Sequence, residues 1–535
     1  ILSNNSPRWA MCDYGIICSA MTTVTIYPTL IPKQIDFILR DSATQVIFVE
    51  NKEQLEKIKT ISDGLDLKYI IVMDDSASEE ESENILNIST LLDKGKLFSQ
   101  ENNLSLNEMI QNINSDDILT LIYTSGTTGV PKGVMLTHNN LISNIKATLK
   151  IAPFNDNETF LSFLPLSHVL ERMAGHFTGF AIGATTYYAE SIEKVSDNLS
   201  EANPTIVISV PRLFEKIYTK IIEGLKTAPK LKRKLFYWAI NVGRKYSELT
   251  LNKEKINFPL SLKHKIANKL IYSKVRDRLG GRIKFFISGG APLSKEIAEF
   301  FSSVNITILE GYGLTETSPV LSGNTPEFLR FGTVGKPLFN VEIKIANDGE
   351  ILAKGPNIMK GYHNNEEATK EVFDQDGWFK TGDIGEIDKD GFLKITDRKK
   401  SLIVTSAGKN IAPAPIEGAL SNSPYIEQIL VIGDKRNFIS ALIVPNFESV
   451  INYLKSINNN LTDTNAIVEH EEVQKLFQSE VDKIMQDFSN YEQVKKFELL
   501  NQAFSLEKGE ITPKMSIVRK EVEKNYIDII NKIYG

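Results

Sequence analysis

Short apolar runs rich in β-branched residues recur along the first half of the chain: Val46–Val49, Tyr69–Met73, Leu119–Tyr123, Ile206–Val210 and Ile283–Ile287. Between them lie stretches with helical spacing, such as Lys132–Lys150 after its turn. Strand–helix alternation of this kind predicts an α/β fold of layered, mostly parallel sheets with helices. From Val341 the pattern shortens. Asn347-Asp348-Gly349, Asp376-Gly377 and Asp390-Gly391 sit between brief apolar runs and predict hairpins. A compact α+β segment follows from Arg398, with exposed helices and loops over Asn446–Asn490, where Asn and Lys are dense. The boundary falls at Asp397, after a hairpin and before Arg398-Lys399-Lys400. It divides a large N-terminal domain, 1–396, from a small C-terminal domain, 397–535.

Tyr14–Pro32 is uncharged, but it contains Gly15, Pro28 and Pro32. A spanning helix needs about 20 mostly apolar residues. A buried helix near Trp9–Ala20, then a strand Val24–Tyr27 and a turn at Pro28, fits better. The chain opens on Ile1 without a start methionine and is read as lacking its natural N-terminus, so targeting is not judged from that end. Asp74–Glu83 is acidic and serine-rich, a solvated surface loop. The net charge of −6 gives no overall footprint for nucleic acid. Two cysteines, Cys12 and Cys18, without a redox or metal spacing, suit a reducing, cytoplasmic setting.

The strongest chemical signal is Tyr123–His138, YTSGTTGVPKGVMLTH. A β-run ends, and a loop of small residues follows. Gly126, Gly129 and Gly133 permit close backbone approach. Thr124, Ser125, Thr127 and Thr128 add hydroxyls, and Lys132 adds a charge. Such a loop can cradle polyphosphate. It is not a Walker A loop, because Lys132 precedes Gly133.

This stretch closely resembles the phosphate loop of the adenylate-forming superfamily, and further motifs follow in that family's order. Ser288-Gly289-Gly290-Ala291-Pro292 is similar to its adenine-side loop. Glu310-Gly311-Tyr312-Gly313-Leu314-Thr315-Glu316 resembles its nucleotide and magnesium motif. Tyr312 offers a flat face for adenine, Thr315 a donor to the α-phosphate, and Glu316 a hard oxygen ligand for Mg²⁺. Gly377–Asp383 resembles the segment whose aspartate binds the ribose hydroxyls. Asp397-Arg398 resembles the hinge aspartate and the arginine beside the ribose. Ser406–Ile411, with Gly408, Lys409 and Asn410, resembles the loop that approaches the pantetheine arm of coenzyme A.

Leu164–His168 with Glu171-Arg172 resembles the motif on the carboxylate and acyl side, which makes His168 and Gly311 candidates for the pocket wall. The spacing of His168, Glu171 and His176 fits no standard zinc pattern. Val210–Arg212 with Phe214–Lys216, and Tyr27–Leu30 with Gln34 and Asp41-Ser42, resemble segments of the long-chain acyl-CoA synthetase branch.

One motif departs from the pattern. The family carries a lysine near its C-terminus in a stretch like G-E-[LI]-T-P-x-[LM]-K, and here Gly509–Ser516 places Ser516 at that position. Lys514 can substitute through a different loop path, Lys399 or Lys400 can cover part of the role, or adenylation is slow. The resemblance implies a ligase that joins a fatty acid to coenzyme A through an acyl-adenylate. Lys132, Thr315, Glu316 and Lys514 would be catalytic, with ATP, Mg²⁺ and coenzyme A required and a small domain turning about Asp397. It is compatible with peripheral membrane contact. Two rivals remain: a ligase that loads the acyl group on a carrier protein, and a non-catalytic binder of nucleotide and fatty acid.

Overall fold

The computed structural model describes residues 1–74, 80–102, 105–125, 131–226, 228–399, 401–406, 409–512 and 517–535, with backbone alone for Ser125 and Asn410. The largest sheet has seven strands. Thr185–Tyr188, Thr159–Ser162, Ile206–Ser209, Phe285–Ser288 and Ile308–Gly313 run parallel in that order, and the antiparallel strands Val320–Gly323 and Lys336–Pro337 extend it. Ile206–Ser209 is buried along its whole length, as a parallel strand covered on both faces must be. Helices such as Lys295–Ser303 and Lys230–Leu251 cover one side through Phe214, Phe286, Phe300 and Phe301.

A second sheet orders Thr23–Thr25, Ile118–Ser125, Pro131–Thr137 and Gly361–Tyr362. A third is the parallel set Val46–Val49, Tyr69–Val72 and Ile85–Asn87. The uncharged stretch supplies the end of helix Pro7–Cys18 and the strand Thr23–Thr25, and Trp9 and Ile17 of that helix are buried. Among the described residues, no helix is long and apolar enough to cross a membrane.

Two readings of the sequence need correction. Lys132–Lys150 is not one helix. Pro131–Thr137 is a strand, buried at Val134 and Leu136, and the helix is His138–Thr148. The switch is made by a capping box: the Asn140 N–H donates to Thr137 Oγ1 at 3.1 Å, and the Thr137 N–H donates to Asn140 Oδ1 at 2.9 Å. Asn446–Asn490 is also not simply exposed. Helix Glu471–Met485 buries Val473, Phe477, Val481 and Met485 at helical spacing against Ile429, Val431 and Ile443.

The hairpin signals past Val341 correspond to the antiparallel sheet Glu342–Ile345, Glu350–Lys354, Phe379–Ile387 and Leu393–Arg398. Beyond it, Ile426–Ile432, Ser440–Pro445 and Lys496–Leu499 form a separate three-stranded sheet. The apolar clusters divide at the same place: among the described residues, none combines side chains from before and after Asp397. The two parts meet through polar contacts. Arg212 pairs with Glu427, Ser449 donates to Glu223 at 2.6 Å, and Asn422 donates to Ser294 at 3.1 Å.

Candidate active site

The phosphate-loop segment is a hairpin in the second sheet, with Thr124 opposite Lys132 and Tyr123 opposite Gly133. Its tip, with Gly126, Thr127, Thr128 and Gly129, lies outside the described residues. Gly133 packs closely on Tyr123: a Cβ there would lie 3.1 Å from the ring. The Tyr123 hydroxyl donates to Asp41 Oδ2 at 2.6 Å, so Asp41 fixes the ring that supports the hairpin.

Strand Gly361–Tyr362 pairs with the returning arm, Tyr362 opposite Val134. This sets the Tyr362 ring 4.9 Å from Lys132 Nζ. The Tyr362 hydroxyl donates to Glu316 Oε1 at 2.9 Å. Lys132, Tyr362 and Glu316 therefore form one connected row. Glu316 sits on the short 3-10 turn Thr315–Thr317, and its carbonyl accepts from the Met359 N–H at 2.8 Å. Two asparagines of helix His138–Thr148 hold these loops. Asn140 donates to the Pro356 and Ile358 carbonyls, both at 2.8 Å, and Asn144 donates to the Val320 carbonyl at 2.7 Å.

Strand Ile308–Gly313 carries the nucleotide motif. Gly313 passes so close to Pro319 that a Cβ would fall 1.7 Å from the Pro319 carbonyl oxygen. Tyr312 is buried, and its hydroxyl donates to Asp383 Oδ2 at 2.6 Å. Arg398 approaches the other oxygen, Nε to Oδ1 3.2 Å, because Asp383 and Arg398 face each other across the sheet. Burial pushes the Asp383 carboxyl above its usual range, while Arg398 and the Tyr312 hydroxyl oppose the shift. The charges of Glu316 and Glu350 raise it further.

Glu310 is buried, accepts from the Leu293 N–H, and is pushed up to about 8 by desolvation. The bonded Leu293 follows Ala291 and Pro292, which are exposed. Gly290 takes φ +80°, a conformation glycine adopts without strain. A Cβ on Gly289 would meet Leu170 at 3.3 Å, so the His168–Leu170 segment packs directly on the adenine-side loop. His168 accepts from the Leu170 N–H at 3.2 Å. Glu171 behind it is buried, and its carboxyl is pushed up to about 8 by desolvation. Arg172 forks onto Asp13, at 2.5 and 3.1 Å. Among the described residues, no cluster of His, Cys, Asp and Glu could hold a metal by itself.

Residues 1–363 match the family described as AMP-binding enzyme, and residues 400–535 match the AMP-binding enzyme C-terminal domain. The chain belongs to the AMP-binding enzyme family. It is 35% identical over 545 residues to the long-chain-fatty-acid–CoA ligase FadD15 of Mycobacterium bovis, covering 100% of this chain and 87% of that protein. It is 34% identical to the long-chain-fatty-acid–CoA ligase ACSBG2 of Xenopus laevis, covering 100% and 76%. The adenylation domain of a carboxylate reductase from Mycobacterium chelonae superposes with a TM-score of 0.74 at 21% identity, covering 99% and 79%.

Within this AMP-binding enzyme, Asp397 lies opposite Ile384 at the end of its strand. Its carboxylate accepts from the Arg398 N–H at 2.5 Å and from the Ala414 N–H at 3.4 Å. It thus links the last strand of the large part to the first turn of helix Pro413–Leu420. The loop expected to approach coenzyme A joins a pair of short strands, Ile403–Val404 against Asn410–Ile411. Lys409 Nζ lies 5.7 Å from the Tyr491 ring of the small domain, and Gly408 is outside the described residues. Lys514 and Ser516 are also outside them. The flanks are fixed by an Ile511–Ile517 bridge and by buried Glu510, which accepts from the Ser505 N–H and from Asn525. Lys399 is committed to Asp348 and Glu350, at 2.6 and 2.8 Å.

Sequence reasoning missed Tyr362 and Asn140. Neither has a local signature, because each acts through a partner distant in the chain. Asp41 stood in a quoted motif, but its bond to Tyr123 did not.

Proposed function

We propose that the chain is a long-chain fatty acid–CoA ligase that works through an acyl-adenylate. The observation that carries the chemistry is the convergence of Lys132, Glu316 and Asp383 through Tyr362 and Tyr312. This arrangement offers a cation, a metal-ready carboxylate and a ribose acceptor along one edge. Full-length likeness to the mycobacterial ligase supports the acyl-chain class.

In the first half-reaction, the fatty carboxylate oxygen bonds to the α-phosphorus of ATP, and diphosphate leaves. Lys132 neutralises phosphate charge, the Thr315 hydroxyl and the backbone of Thr124 and Ser125 orient the phosphates, and Asp383 with Arg398 holds the ribose. Positioning and charge do most of the work. Glu316 is the residue to hold Mg²⁺, which would screen the phosphates. A single carboxylate fits an ion that arrives with its nucleotide, since Mg²⁺ is usually bound through one or two carboxylates plus phosphates.

In the second half-reaction, the coenzyme A thiolate attacks the acyl carbon and AMP leaves. The small domain, 397–535, turns about Asp397 to exchange the 509–519 loop for Gly408, Lys409 and Asn410. Its polar interface and separate apolar cores suit such motion. Lys514 supplies the missing cation of the first half-reaction. The acid is drawn from a membrane surface by peripheral contact, and the protein otherwise works in the cytoplasm.

A mass-spectrometric assay with Mg²⁺, ATP, coenzyme A and acids of graded length tests this. Acyl-CoA favouring long chains is expected. Acyl-AMP without acyl-CoA would point to a carrier-protein acceptor, and neither product from folded, ATP-binding protein would make the chain a binder.

A further inference from the structure

The charge of this chain is unevenly distributed. Residues 230–282 hold fifteen Lys and Arg against three Asp and Glu, a net of +12 in a chain whose total is −6. This segment forms a helical hairpin on the outer side of the large domain. Helices Lys230–Leu251 and Phe258–Ala267 run antiparallel. Tyr246 stacks on His264 with ring centroids 3.8 Å apart, and the Tyr272 hydroxyl donates to the Ala239 carbonyl at 2.6 Å.

Those contacts fix which face turns inward. Leu260, Ala267 and Tyr272 are buried. The opposite face is not polar, as an ordinary solvated helix would be. Phe258, Leu262, Ile266 and Leu270 follow one another at four-residue spacing and are 79%, 49%, 45% and 39% exposed. Residues so spaced share one face. Lys263, Lys265 and Lys269 are exposed beside this stripe, and among the described residues no ion pair joins them to a carboxylate. Leu231, on the other helix, is 79% exposed between Lys230 and Lys232.

We propose that the helix face Phe258–Leu270 is a docking surface for an anionic phospholipid bilayer. It deepens the peripheral contact included in the proposed function and rests on that part of it alone. An apolar stripe rimmed by lysines is the composition of a helix lying in the membrane interface. The stripe spans roughly 18 Å, the length of a helix of this size, and it can enter the headgroup layer while the lysines meet lipid phosphates. Nucleic acid would use the lysines but leave the aliphatic stripe in water. An acidic bilayer uses both.

The test is co-sedimentation of the full chain with vesicles of phosphatidylcholine, with and without a minority of phosphatidylglycerol. The wild type is expected to bind the anionic vesicles and to lose that binding steeply with salt. Replacing three lysines, Lys263→Glu, Lys265→Glu and Lys269→Glu, should weaken it by about a hundredfold or more. Leu262→Ser with Ile266→Ser should weaken it at least tenfold on the same vesicles. Acyl-CoA formation from albumin-delivered acid should be unchanged in both, which separates docking from chemistry. Salt-insensitive binding by the wild type, or lysine variants that bind as before, would overturn the proposal. So would a concentration-dependent dimer lost in these variants without any vesicle binding, which would make a second copy the occupant.

Discussion

The two sides of the candidate nucleotide site are held in different ways. On the large-domain side, Tyr312 and Asp383 are 8% and 4% exposed and share a 2.6 Å hydrogen bond, and Glu316 is held by Tyr362. Sheet pairing fixes Tyr312, Asp383 and Tyr362 before any ligand arrives, and Glu316 is held through Tyr362. At the rim of this sheet the Arg398 side chain is 69% exposed, and in the small domain the 403–411 hairpin makes its ring contact within its own domain. The parts touch through polar pairs such as Arg212–Glu427, and no described apolar cluster spans them. In the proposed reaction the preformed face keeps its geometry through both half-reactions. A weakly attached face can be exchanged between them, because breaking a few solvent-screened pairs costs little.

This contrast orders the expected effects of substitution. Glu316→Gln removes a charge from the preformed face and should slow acyl-AMP formation about 100- to 1,000-fold, read by single-turnover quench, with the melting temperature retained. Arg398→Gln acts on the exposed side and should raise the KM for ATP only a few-fold with kcat nearly unchanged, as a solvent-screened contact predicts. An Arg398 effect equal to that of Glu316 would erase the distinction.

The smallest effect concerns the buried acyl-side carboxyl. Glu171 ordinarily titrates near 4.5 and is raised to about 8 by burial. Between those values the folded protein keeps a proton that the unfolded chain has lost, so the group lowers stability as pH rises through that window and then levels off. Glu171→Gln stays neutral. Its melting temperature relative to wild type should therefore rise by a few degrees between pH 5 and pH 8. A pH-independent difference would mean that Glu171 is ionised in the fold.

Much of the candidate site was legible because its residues lie in contiguous motifs. The strand before the phosphate loop, the Glu310–Glu316 run and the Asp383 segment each combine a local backbone pattern with its chemistry. What escaped is long-range. Tyr362 matters because its strand pairs with Pro131–Thr137, and Asn140 because its amide reaches Pro356 and Ile358. Lys132–Lys150 was misread for a related reason: helical spacing over the whole stretch concealed a capping box at Thr137 and a strand before it. The burial of Glu171, Glu310 and Asp383 could not be read from composition, since carboxylates are usually exposed.

The central claim is that one preformed nucleotide face serves two reactions while Asp397 lets the small domain exchange. Asp397→Pro tests it directly, because proline restricts the backbone turn and removes the carboxylate that caps Ala414. Acyl-AMP formation without coenzyme A, and thioester formation from supplied acyl-AMP, are timed separately in the variant and the wild type. Near-normal adenylation is expected, with thioester formation slowed at least tenfold, which is about 1.4 kcal/mol or more in barrier. Equal loss in both halves, or none in either, would contradict it.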